Sequence, residues 1–404
     1  VSEPTNALQV ASFRALWLNS LTFYLVSNAL RFVYGWVVLD GLEKSEAWQG
    51  GVIFILGVPM MFLLLPAGVW ADRLDPKRLL MGSQIALLIA MAGTALFMGG
   101  GAGSLGLIIV SAVLAGVVTS FGSPVRSSLI PALLQGDLLY SGIALNAIAL
   151  TLSLVLGAVS ARAFGDWFGF DGAFWWLAAL TALGVLFLAF LESPGPATTG
   201  DKATLREAVG QGLRYVWDEA GIRMLFVLLA VSGLMMTPIM FVTLQAHIKE
   251  DLGRTAADAA PMLALMGLGI AISSVYIMRK GSMEDKSVKF MRAMLGGTTT
   301  MFLMGRTTDY WQVLVLGLIM GMCGGFFINM NQGLIQANTP QEKMGRVMGL
   351  YALVAGGLTP IGALGMGFLA SGIGTADAIS IVSAAAFAIV LAIYMRSKSI
   401  REIN

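Results

Sequence analysis

The chain has 404 residues, of which 57% are hydrophobic and 12% charged, with a mean hydropathy of +0.80. Soluble domains carry about 25% charged residues, so this chain has too few charges to coat a water-soluble globule and must face lipid over most of its surface. The net charge of +2 says little by itself, because in membrane proteins the placement of charge matters more than its sum.

A membrane-crossing helix needs about 20 largely apolar residues. On that rule the sequence predicts twelve spans: 13–39, 48–68, 79–99, 104–123, 139–163 and 172–192, then 222–246, 259–278, 288–305, 311–331, 344–369 and 373–395. The fold class expected is an all-α membrane protein. The polar first ten residues and the length of the first apolar run argue against a cleavable leader. With the N-terminus inside, only Arg31, Lys44, Arg162, Lys249, Arg254 and Arg306 fall outside or near the outer end of a helix, and the other 19 Lys and Arg lie inside. Acidic residues split almost evenly, 13 inside and 10 outside. The bias is therefore specific to positive charge and predicts both termini on the cytoplasmic side.

The densest charge lies in the turn between the second and third spans, where Gly68, Asp72, Arg73, Lys77 and Arg78 crowd together. Two readings are open. The charges set topology only, or they form a latch with Arg126, in which Gly68 allows close helix approach and Asp72 accepts hydrogen bonds from a helix N-terminus.

The one long loop, 193–221, begins Ser-Pro-Gly-Pro-Ala-Thr-Thr-Gly, a breaker-rich stretch. Leu205, Val209, Leu213 and Val216 then recur at helical spacing among charges, which predicts an amphipathic helix on the cytoplasmic membrane face. The halves it joins read as a repeat. Phe13-Arg14-Ala-Leu16-Trp17 resembles Ile222-Arg223-Met-Leu225-Phe226, and Leu129-Ile130 with Asp137 resembles Leu334-Ile335 with Glu342. Gly157-Ala158 falls opposite Gly362-Ala363 at that same offset of 205 residues. The organisation expected is 1–192 as one six-helix bundle, 193–221 as linker and 222–404 as a second bundle.

Twelve spans, a six-plus-six repeat and a long middle loop resemble the major facilitator superfamily over essentially the whole chain. The family's turn between helices 2 and 3 has Gly, then Asp-Arg four and five residues on, then a basic pair. Gly68, Asp72, Arg73, Lys77 and Arg78 fill it, with Asp75 where a second glycine is often found. Phe13-Arg14-Ala-Leu-Trp17 and Arg126-Ser-Ser-Leu-Ile-Pro131 further resemble the branch of enterobactin-type siderophore exporters and related multidrug efflux proteins. The resemblance implies that Asp72 meets the start of the eleventh helix, near Lys343. There are departures. The fifth span holds Gly157-Ala158 where antiporters often carry Gly-Pro, and the second-half counterpart of the turn, Met278-Arg279-Lys280-Gly-Ser282, lacks the Asp.

Candidate site residues follow. Tyr24, Ser27, Asn28, Arg31 and Tyr34 share one face of the first span. A polar stripe on a membrane helix faces a cavity or another helix rather than lipid. Arg31 then either binds an anionic or polar substrate group or is structural, paired with Asp40 or reaching the interface. By the resemblance, the fourth, seventh and tenth helices line the same cavity, offering Met236, Thr237, Met240, Phe326 and Asn329, and the fifth adds Asn146. Met-rich walls suit an amphipathic molecule because methionine repacks easily, although the same methionines also serve as ordinary packing. No Asp or Glu lies deep in a predicted span. The candidates for proton coupling are therefore the rim groups Asp40, His247 and Asp258.

No cofactor is expected. With one cysteine, Cys323, and one histidine, His247, neither a multi-cysteine nor a histidine-based metal site can form. No phosphate-binding Gly-Lys-Ser/Thr follows the glycine runs, and no Ser/His/Asp set or nucleic-acid module is expected. The functions left open are a monomeric secondary transporter exporting an amphipathic compound, an importer or facilitator of an organic anion, and a transport-inactive sensor or scaffold on the same fold.

Overall fold

The computed structural model describes residues 7–73, 75–134, 137–192, 205–280 and 286–396. Inside its helices, the side chains of 64–73, 123–124, 127–128, 137, 140, 144, 205–209, 286 and 341 lie outside the described set. Among the described residues every regular element is helical. Before the middle loop come α1 (Ala11–Trp36), which runs on through a π turn at Val37–Gly41, then α2 (Glu46–Arg73), α3 (Pro76–Gly99), α4 (Leu105–Leu133) and α5 (Asp137–Ala189). Within it lies α6 (Leu205–Asp218), and then come α7 (Ala220–Val231), α8 (Leu244–Glu250), α9 (Ala259–Lys280), α10 (Lys286–Met304), α11 (Tyr310–Ala337), α12 (Gln341–Ile373) and α13 (Thr375–Arg396).

Among the described residues, ten helical segments have the length and apolarity to cross a membrane. One of them, Ser141–Ala189, holds two of the expected spans. The connection expected at 164–171 is almost entirely helical, and the chain turns at Gly169, whose φ of 81° and ψ of −177° suit glycine alone. The other expected span missing from the ten is α10, diluted by Lys289, Arg292 and three threonines. Thr298, Thr299 and Thr300 return their hydroxyls to carbonyls three or four residues back, so none of the three leaves a polar group unpaired.

The chain divides into two compact units, Val1–Leu42 with Ile55–Lys202 and Glu43–Phe54 with Ala203–Asn404. In the first unit α1 lies along α5 and α4, and α3 packs on both of those helices. In the second, α11 lies between α9 and α10, and α13 packs on α10 and α12.

Residues 43–54 are the exception to chain order, and polar contacts tie them to the second unit. The Ser371 hydroxyl donates to the Glu46 carboxylate at 3.0 Å and accepts from the Ala47 amide at 3.0 Å. The Gln49 side chain donates to Gln245 at 2.8 Å. Gly50 lies so close to α12 that a Cβ there would be 2.5 Å from the Ala363 carbonyl oxygen.

Glycine contacts repeat between the units. A Cβ on Gly116 of α4 would stand 2.3 Å from the Leu56 carbonyl oxygen in α2. Gly321 of α11, 205 residues on, would meet the Met266 carbonyl of α9 at 2.0 Å. Gly157 likewise abuts the Leu25 carbonyl of α1 at 3.1 Å, and Gly362 abuts the Leu234 carbonyl at 2.2 Å. Small residues at these crossings bring backbones into direct contact.

Candidate functional site

The charge-dense turn comes first. Asp75 stands at the N-cap of α3, accepts from the amides of Lys77 and Arg78 and is followed by Pro76 at the first helical position. The aspartate that replaces the second glycine is thus a helix cap. Lys77 donates to the Ala189 carbonyl at 3.1 Å, and Arg78 lies 3.9 Å from Asp75. The side chains of Gly68, Asp72 and Arg73 lie outside the described residues, as do Gly281 and Ser282 of the second-half counterpart.

Arg126, expected in an ion-pair network at the cytoplasmic face, is instead only 1% exposed. It donates to Asn19 at 2.8 Å and to the Gly122 carbonyl at 2.8 Å, and its guanidinium lies 3.7 Å from the centre of the Phe23 ring. Asn19 in turn donates to Gln84 and to the Gly184 carbonyl. One buried cation therefore ties α1, α3, α4 and α5 together through neutral dipoles and a π face. Gly122 is required here, since a Cβ would lie 2.1 Å from the Phe23 ring. Asn331 occupies the same place 205 residues later and donates to the Leu225 carbonyl at 3.1 Å. An amide replaces the cation in the second half.

The stripe on α1 is polar along its length, and much of it pairs with neighbouring helices. Tyr24 donates to Asn146 at 3.4 Å, and Asn28 donates to Ser153 at 2.8 Å. Tyr34 is wholly buried and shares a 2.7 Å hydrogen bond with Ser111, which also accepts from Thr94. Ser27 presents a buried hydroxyl. Arg31 is half-buried and engaged, as is Asp40 in the π turn.

In the second unit the span from α7 to α8 is broken by π turns at Ser232–Met236 and Ile239–Thr243, on either side of Pro238. Such wide turns recur at functional sites. Thr237 donates to the Ser232 carbonyl, and Met236 and Met240 are buried. Phe326 stacks obliquely on Tyr276 at 5.9 Å, while Asn329 is exposed and donates to Ser274 and the Gly325 carbonyl.

His247 is 1% exposed. Its Nδ1 lies 2.6 Å from the Asp251 carboxylate and its Nε2 lies 3.0 Å from the Thr307 hydroxyl. Thr307 spends its own proton on the Met304 carbonyl, so it accepts and Nε2 donates. A neutral ring of that tautomer would set a bare Nδ1 against a carboxylate. A proton on Nδ1 or on the carboxylate would complete this contact. The Thr375 hydroxyl also donates to Asp251, and the neighbouring Arg306 and Asp377 pair at 3.2 Å.

Asp258, grouped with His247 on the sequence, instead forms a capping box with Thr255. The partner missed was Asp251, though its spacing from His247 is the i,i+4 step of a helix face. Among the described residues no group of three or more His, Cys, Asp or Glu could hold a metal.

The family model of the Major Facilitator Superfamily matches residues 16–305. The multidrug efflux pump Tap of Mycolicibacterium fortuitum is 25% identical over 357 residues, 84% of this chain and 85% of that protein. The multidrug resistance protein MdtG of Klebsiella pneumoniae (strain 342) is 32% identical over 126 residues, and the chain spans only 30% of that relative's length. A POT family transporter solved with 5-aminolevulinic acid superposes with a TM-score of 0.78 at 12% identity, covering 96% of both chains. The nucleoside transporter NupG superposes with a TM-score of 0.74 at 13% identity, covering 96% of this chain and 99% of that one. The last two share the fold, and with the family match across both halves the chain belongs to the Major Facilitator Superfamily.

Proposed function

We propose that the chain is a proton-coupled secondary transporter that exports an amphipathic organic compound from a bacterial cytoplasm by alternating access. The observation that carries this reading is the family match over residues 16–305. The direction leans on the relatives named as multidrug efflux proteins. The two halves, 1–192 and 222–404, move as bodies joined by 193–221, with both termini in the cytoplasm. Met236, Thr237, Met240, Phe326 and Asn329 in one half, with Tyr24, Asn28, Arg31 and Asn146 in the other, are the residues offered to the substrate; Tyr34, wholly buried against Ser111, holds α1 to α4 instead. The His247–Asp251 pair carries the coupling proton.

A second reading, facilitated passage of an organic anion, is favoured by one observation, the placement of the cation Arg31 on a polar face of α1. Counterflow in proteoliposomes with a panel of cationic, neutral and anionic compounds, with and without a pH gradient, tests both. Exchange of an amphipathic compound with uphill accumulation driven by the gradient is expected. Exchange of anions alone, indifferent to pH and weakened by Arg31→Ala, would favour the second reading. No flux of any compound would favour a sensor or scaffold.

A further inference from the structure

In α6, within the middle loop, Val216 is buried, whereas Leu213 is 52% exposed and Trp217, one turn further on, 67%. The inward face of α6 packs on the start of α12. Gly212 approaches so closely that a Cβ there would lie 3.2 Å from the Arg346 carbonyl oxygen. Tyr215 donates to the Asn338 carbonyl at 3.2 Å, and the Lys343 ammonium sits 4.3 Å from the centre of its ring. Burial and then Glu219 hold the Tyr215 phenol above the ordinary tyrosine range, so it stays neutral beneath that cation.

Between the two helices is a cavity of about 310 Å³, lined by the cations Arg214, Lys343 and Arg346, the carboxylates Asp218 and Glu219, and Tyr215. Among the described residues none of the three cations is in an ion pair. Three cations and two carboxylates thus line one cavity, while the exposed Leu213 and Trp217 project from the same helix. Basic pockets of this kind beside membrane helices suit lipid phosphates, and an exposed Trp beside them suits the membrane interface.

We propose that this cavity between α6 and α12 is a binding site for a phosphate-ester anion, supplied by an acidic phospholipid headgroup or by a soluble phosphate. The site rests on the reading of α6 as a helix at the membrane surface, and it needs no particular substrate or direction of transport. Lys343 and Arg346 sit in the first two turns of α12, where the helix dipole adds to their field. An occupied site would join α6 to that end of α12.

Native mass spectrometry of the full chain in detergent tests the site, with phosphatidylglycerol and phosphatidylcholine of equal acyl chains titrated separately. Wild type is expected to hold one phosphatidylglycerol in preference to phosphatidylcholine. Lys343→Gln with Arg346→Gln should weaken phosphatidylglycerol binding on the order of tenfold or more. Asp218→Asn with Glu219→Gln should tighten it, a gain that misfolding cannot mimic. Displacement by millimolar inorganic phosphate, without preference between the two lipids, would assign the site to a soluble phosphate. Equal binding of both lipids in wild type and both variants, with no effect of phosphate, would overturn the proposal. Binding is read without transport, so a failure of the transport reading would leave the lipid result standing.

Discussion

His247 shows how much chemistry one residue gains from its neighbours. The sequence marks it as the chain's one histidine, near the end of an apolar run, and the structure supplies what tunes it. Its two ring nitrogens face Asp251 and Thr307, and the hydroxyl of Thr307 is already committed. An imidazole–carboxylate pair able to hold a proton therefore sits here, its ring buried and its carboxylate 38% exposed. If that proton is the coupled one, His247→Gln and Asp251→Asn should each keep substrate exchange while abolishing accumulation driven by a pH gradient. Counterflow and pH-jump uptake in the same proteoliposomes measure the two separately. Gradient-driven uptake at the wild-type level in both variants would remove the pair from the mechanism. Arg126 gives the opposite lesson. A basic residue near the end of an apolar run reads as a surface charge, and nothing local announces that Asn19, Phe23 and Gly122 will enclose it. Those partners are distant in sequence and meet only once the helices pack.

The positions of the helices were legible because a bilayer demands long apolar runs. The weak points were physical too. Gly169 turns the chain with a single residue, too few to interrupt hydropathy, and threonines in α10 satisfy themselves against their own backbone. The repeat was visible as the Gly157 and Gly362 pairing, and its reason is helix contact: each glycine lies against a carbonyl of a neighbouring span. Gly116 and Gly321 belong to the same pattern. Val at 321 would drive a side chain into the Met266 carbonyl, at 2.0 Å for the Cβ alone, and backbone cannot rotate away as a side chain can. Overpacking of this kind costs about 1–3 kcal/mol or more. Gly321→Val should therefore lower the melting temperature of the detergent-solubilised protein and reduce its yield. Gly324→Ala, three residues along the same helix with open space around it, should do neither. Equal behaviour of the two variants would show that the α9–α11 crossing relaxes freely.

At the scale of the molecule, the six residues read as a latch separate into two groups. Lys77 and Arg78 find partners in Ala189 and Asp75, and Arg126 is sealed among helices of its own unit. All of these contacts lie within the first unit. We propose that the switching role falls to Gly68, Asp72 and Arg73. A carboxylate against a helix N-terminus contributes about 0.3–1 kcal/mol, and up to ~2 when partly buried. Two conformations within a few kcal/mol of each other respond to such a change by a shift of about tenfold or more in their populations. Asp72→Asn keeps the shape and removes the charge, so the protein should insert and fold normally yet sit in one conformation. Substrate counterflow is expected to fall at least about tenfold at unchanged expression, whereas Lys77→Gln should retain most of it. Wild-type flux in Asp72→Asn, or an equal loss in both variants, would return the whole turn to the role of setting topology.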